Sequence, residues 1–199
     1  FDIMSIRNIV GIFLVTAILL AAPTVLLAET RVIHVLVALC DNESQGIVPV
    51  PAKIGNGNDP ANNLYWGCAY GVSTFMRRHS DWELLASYKN PAPDILERLL
   101  FKAKQADVYM VADAYVGSAI KQTTVDLLDY AAGLHDFKLE HGDVDVAAGG
   151  AADLLVYVGH NGLMDFALEH IPEKVNNDPR DVAVFACASR QYFSRTIAL

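Results

Sequence analysis

Two short apolar runs end in residues that can do chemistry. One is Asp153-Leu154-Leu155-Val156-Tyr157-Val158-Gly159-His160-Asn161-Gly162, and the other is Asp181-Val182-Ala183-Val184-Phe185-Ala186-Cys187. The thiolate is the reactive form of cysteine, and a nearby imidazole can generate it and later return a proton to a leaving amine. That requires His160 and Cys187 to emerge at one edge of one sheet. Neighbouring parallel strands would do this, because chemistry in such sheets gathers beyond the carboxyl ends of the strands. A glycine near the histidine lets backbone approach a substrate carbonyl. The backbone N–H groups near Gly162 and of Cys187 are therefore candidate oxyanion donors. The competing reading is a buried sheet-end histidine and an inert core thiol.

The elements that must position this pair follow from hydrophobic patterning. Apolar runs at 32–39, 108–116, 154–158 and 182–185 read as buried strands, with a shorter one at 82–86. Residues 41–59 are rich in Gly, Pro and Asn and read as a long loop. Leu64, Cys68, Val72 and Phe75/Met76 lie at helical spacing, with Asn62 or Asn63 as the cap. Asp94 followed by Glu97 has the form of a capping box, which predicts a helix with Ile95, Leu96, Leu99 and Leu100 as its apolar stripe. Residues 118–132 predict a helix stopped by Gly133, 135–152 a loop or short hairpin, and 165–169 a short helix. A helix-like segment follows Cys187. The predicted fold is α/β, a mainly parallel sheet of about four to six strands with helices on both faces.

The two strand ends resemble the signature of the caspase–hemoglobinase class of cysteine peptidases, clan CD, which includes caspases, legumains and gingipains. That signature is an apolar block ending in His-Gly, then an apolar block ending in Ala-Cys. Ala186-Cys187 matches directly, while Asn161 separates His160 from Gly162. The resemblance implies a three-layer sandwich and an endopeptidase with Cys187 as nucleophile and His160 as acid/base. It implies a peptide or protein substrate, and neither metal nor organic cofactor. It also implies that Asp41, Asn42 and Glu43, just after the first strand, lie where such enzymes place specificity residues. Members of the class continue past the cysteine strand, so the chain reads as cut short at its C-terminus.

Composition bounds these readings. The 199 residues carry 15 Lys+Arg and 23 Asp+Glu, a formal charge of −8, and 53% are hydrophobic. The apolar content excludes whole-chain disorder, and the acidic balance argues against a nucleic-acid partner. One domain is expected over 29–199. Before it, Arg7 precedes an uncharged, largely apolar stretch that ends at Ala28, and Met4 is read as the initiator. This describes a secretory signal peptide over 1–28, with an uncleaved anchor as the rival reading, so an exported protein is expected. Membrane contact would come only through that segment. Of Cys40, Cys68 and Cys187, the first two read as core thiols or a bridged pair. Trp66 and Tyr70 read as core residues and Tyr157 as strand packing. The Gly55–Asp59 loop and the His135/His141 region lack the spacing of a metal site.

Overall fold

The computed structural model describes residues 30–176 and 178–197, so the expected leader lies outside the described residues. Eight strands form among them: β1 (Arg31–Ala38), β2 (Trp82–Ala92), β3 (Ile95–Ala103), β4 (Val108–Tyr115), β5 (Phe137–His141), β6 (Val144–Ala148), β7 (Leu154–Val158) and β8 (Asp181–Phe185). Three helices accompany them: α1 (Val72–Arg78), α2 (Ile120–Ala131) and α3 (Ser189–Ile197). Six strands make one sheet in the order β2-β3-β4-β1-β7-β8, and β5 and β6 form a separate hairpin. No helix among the described residues is long and apolar enough to cross a membrane.

The central strand β1 shows how sequence becomes sheet. Its period-two alternation sends Val32, Leu36 and Ala38 into one apolar cluster and Val35 and Val37 into another. The first cluster includes Ile120 and Leu127 of α2, Phe193 of α3 and Val146 of β6. The second is closed by Trp66, from the long loop after β1, with Val72 and Met76 of the two-turn α1 packed against it. A strand buried on both faces needs a near-continuous apolar run, which is why β1 and β4 were legible. β7 is fully buried only at Leu155 and Tyr157, and β8, expected as a buried strand, has no buried residue because it closes the sheet order.

The sheet is mixed rather than parallel throughout. β4, β1, β7 and β8 run parallel, while β3 is antiparallel to both β2 and β4. The predicted helix from Asp94 is therefore replaced by strand β3. Asp94 sits at φ +61°, turning a hairpin rather than capping a helix. Glu97, Arg98, Leu99, Leu100 and Phe101 are all buried. An interior strand can hide five consecutive residues, whereas an amphipathic helix would expose some of them.

Two other expectations change. Residues 62–71 form successive turns, and only Val72–Arg78 is helical. Asn63 does not cap the helix, whose cap position is Gly71; its amide is turned back to the end of β1 and its Oδ1 also accepts the Tyr65 N–H. A Cβ on Gly67 would lie 2.1 Å from the Ala61 carbonyl oxygen, so this tight path admits no side chain. Tyr70 projects outward, 92% exposed, rather than joining the core. The predicted helix at 165–169 is absent, and a single 3₁₀ turn at Gly162–Met164 precedes irregular chain. The helix ending at Gly133 (φ +85°) and the 135–152 hairpin form as expected.

Candidate functional site

The register of the parallel strands builds the site. Val158 of β7 pairs with Phe185 of β8. His160 and Cys187 each lie two residues further on, so they leave adjacent strands at the same level of the same edge. Asn161 ties the two turns together, because its amide Nδ2 donates to the Cys187 carbonyl at 2.8 Å. Its Oδ1 accepts from the Leu163 N–H at 3.2 Å, opening the 3₁₀ turn. The residue that interrupts the His-Gly pattern is thus fully buried and joins the histidine turn to the cysteine turn.

His160 is held from both sides. Its carbonyl accepts the hydroxyl of the buried Tyr157 at 2.7 Å. Its ring Nε2 meets Asp165 Oδ2 at 2.8 Å, and the same oxygen accepts the Gly46 N–H at 2.9 Å. Cys187 is exposed, between the end of β8 and the start of α3. Ala188 after it adopts φ +51°, a left-handed conformation that costs a residue with a Cβ and swings the chain sharply from strand into helix. Cys187 is therefore open to solvent just before the first turn of α3.

All three thiols are free. Cys40 contrasts with Cys187, being fully buried. Burial pushes its thiol up, the Asp41 carboxylate adds to this, and the Tyr65 hydroxyl offsets a part. Tyr65 is itself pushed up to about 12, first by burial and then by the charges that Cys40 and Cys187 carry when ionised.

Three buried amides shape the rest of the edge. Gln45 donates to Leu39 O and Gly117 O at 2.8 and 2.9 Å, bridging the ends of β1 and β4, and accepts the Asp41 N–H at 3.3 Å. Asn63 makes four hydrogen bonds, with Cys40 N, Cys40 O, Tyr65 N and Asn56 O. Asn161 does the corresponding work at β7 and β8. Gly57 and Gly117 approach so closely that a Cβ on Gly57 would lie 2.7 Å from the Gly117 Cα. This packing lays the long loop flat against the sheet edge.

The expected specificity residues divide in role. Asp41 is buried and closes a turn, its carboxylate accepting the Glu43 N–H at 3.2 Å and the Ser44 hydroxyl at 2.5 Å. Asn42 exchanges two hydrogen bonds with the Val50 backbone at 2.8 and 3.0 Å. Glu43 alone of the three projects into solvent. Gly162 is buried, and a Cβ there would meet the Phe166 ring at 2.6 Å, so its glycine identity is explained by packing. Among the described residues no group of three or more His, Cys, Asp or Glu converges as a metal site.

Sequence reasoning missed Asp165, Gln45 and the clamping roles of Asn63 and Asn161. Asp165 follows His160 by five residues, and that spacing was the one available signal. Gln45 and Asn63 carry none, because loop amides bonded to distant backbone leave no periodic trace. No protein-family model matches the chain, and searches of curated proteins and of solved structures return no match.

Proposed function

We propose that the chain is a cysteine peptidase-like hydrolase of the caspase–hemoglobinase type, exported and acting on peptide or protein substrates. One observation carries this reading: His160 and Cys187 leave neighbouring parallel strands at the same level, joined by the Asn161–Cys187 hydrogen bond, with the thiol exposed. The four parallel strands and the apolar clusters on both sheet faces are compatible with a three-layer sandwich of that class.

In this mechanism His160 takes the Cys187 proton, and the thiolate attacks the scissile carbonyl carbon. Backbone N–H groups at Cys187 and near Gly162 face the developing oxyanion. The imidazolium then protonates the leaving nitrogen as the carbon–nitrogen bond breaks. Water, deprotonated by the same imidazole, releases the acyl group and restores the thiol. Glu43, at the exposed tip of the loop after β1, offers a contact to the substrate chain.

The test is site-resolved alkylation of Cys187 in the folded protein, with and without His160→Ala. A functional dyad labels at Cys187 first, and loss of the imidazole slows it. A Cys187 that reacts like an ordinary exposed thiol, indifferent to His160, overturns the peptidase reading and favours a binding domain on the same fold.

A further inference from the structure

The contact between Asp165 and His160 has a consequence for which ring nitrogen does the chemistry. An ionised carboxylate has no proton to give, so the 2.8 Å contact with a neutral imidazole requires Nε2–H as donor and Asp165 Oδ2 as acceptor. The lone pair then resides on Nδ1. Which nitrogen of a histidine is available is set by the bond the other one makes. Asp165 does not depend on the ring alone for its own position. The Gly46 N–H fixes the same oxygen at 2.9 Å from the loop after β1. Gly46 also supplies necessary space, since a Cβ there would fall 2.2 Å from Asp165 Oδ1 and 2.9 Å from its Cγ.

We propose that Asp165 is the positioning residue of the site: held by Gly46, it locks His160 in the Nε2–H tautomer and presents Nδ1 as the base for Cys187. This rests on the dyad reading above. When Nδ1 takes the thiol proton, the ring becomes an imidazolium with both nitrogens protonated. Asp165 stays ionised and stabilises that charge. The proton later leaves from Nδ1 to the departing amine, and the Nε2–H bond to Asp165 is never broken.

The test joins a spectroscopic and a kinetic readout on the 199-residue chain. Long-range nitrogen–proton NMR assigns the neutral tautomer of His160, and peptide mass spectrometry follows iodoacetamide labelling of Cys187. The native protein is expected to show Nε2–H. Asp165→Ala is expected to give mixed tautomers and to slow labelling about tenfold, a part of what a general base contributes. Gly46→Ala displaces the carboxylate without removing its charge and is expected to act in the same direction. It also keeps the question open to refutation if Asp165→Ala does not fold. Asp165→Glu is expected to restore part of the rate. If His160→Ala slows labelling while both the Asp165 and Gly46 variants keep the native tautomer and rate, the positioning role falls and the dyad stands. If His160→Ala labels at the native rate, the dyad itself falls, and the role of Asp165 with it.

Discussion

Two buried polar networks hold this molecule together, and they are built from opposite materials. At the carboxyl edge of the parallel strands, Gln45, Asn63 and Asn161 use neutral amides to bind backbone. Inside the first apolar cluster, Asp113 takes a two-pronged ion pair from Arg98, both contacts at 2.6 Å, and a hydrogen bond from His34 at 3.1 Å. His34 in turn accepts the Gly149 N–H, stacks on Tyr130 and meets Phe137 edge-on, while the Arg98 guanidinium lies over the Phe137 ring. The charged network bolts the β5–β6 hairpin onto the sheet. Amides can order loops around an exposed thiol without imposing charge on it. Charges can fix one element on another, at the cost of depending on every partner.

That dependence gives the largest expected effect. Asp113→Ala would leave Arg98 and His34 buried without their acceptor, and breaking such a pair costs about 3–5 kcal/mol. This is a large share of the stability of an ordinary domain. Urea unfolding measures it. The comparison sharpens with the double variant Asp113→Leu/Arg98→Met, expected to be more stable than Asp113→Ala because no buried charge remains. A double variant as weak as the single one would show that the ion pair itself stabilises the fold.

At the amide edge the expected loss is smaller and local. Asn63→Ala removes four hydrogen bonds and leaves the buried N–H and C=O of Cys40 without that partner, while the freed groups of Tyr65 and Asn56 are only part-buried. About 2 kcal/mol is expected. Hydrogen exchange should speed up at Cys40 and Tyr65, whose N–H groups Asn63 accepts, and remain slow in β4. Exchange that rises across the whole sheet would mean the loop and the sheet open as one unit.

The difference between the networks also explains what was legible in the sequence. β1, β4 and α2 were visible, because burial on both faces and helical stripes leave traces in the residues themselves. β8 was visible only by its apolar composition, since it closes the sheet order with none of its five residues buried and Phe185 65% exposed. β3 was not. Its Asp94…Glu97 spacing copies a helix start, and only the pairing of β3 between β2 and β4 decides against it. Glu97 looked like a capping acid, yet it accepts from Trp66 Nε1 at 2.7 Å, Lys89 Nζ at 2.8 Å and Ser87 Oγ at 3.1 Å. At the site, His160 and Cys187 were legible by type. Asp165 and the amides were not, since their meaning lies in partners as much as 119 residues away, as with Gly46.

Acid should separate the two networks. Burial works to raise Asp113, but the hydrogen bonds and charges of Arg98 and His34 outweigh it and hold the carboxyl below its ordinary value. Glu97 is likewise lowered, its burial outweighed chiefly by Lys89 and Trp66. A depressed folded value means stability that is present above the unfolded pKa, about 4, and is lost as pH falls through the folded one. Unfolding free energy should therefore decline on the acid side, and Glu97→Gln should flatten part of that decline. Asn63→Ala should lower the whole curve and leave its acid slope unchanged, because amides do not titrate. An altered acid slope in Asn63→Ala would mean that the amide clamp is energetically coupled to the interior carboxylates.

Alkali should erase the distinction, with the smallest effect of the set. Tyr65 faces the edge and is held up to about 12, by burial first and then by Cys40 and Cys187 once these ionise. A raised folded value means stability that is complete below the unfolded pKa, near 10, and that disappears as pH rises toward 12. The edge then gains thiolate and phenolate charges beside the carboxylates of Asp41 and Asp165. Cys187→Ser removes one of those anions, so the ultraviolet titration of Tyr65, identified by difference against Tyr65→Phe, should move to lower pH. The shift should be smaller than the one caused by Cys40→Ser, since Cys40 is the stronger of the two influences. A titration indifferent to Cys187 would place the thiol beyond electrostatic reach of Tyr65.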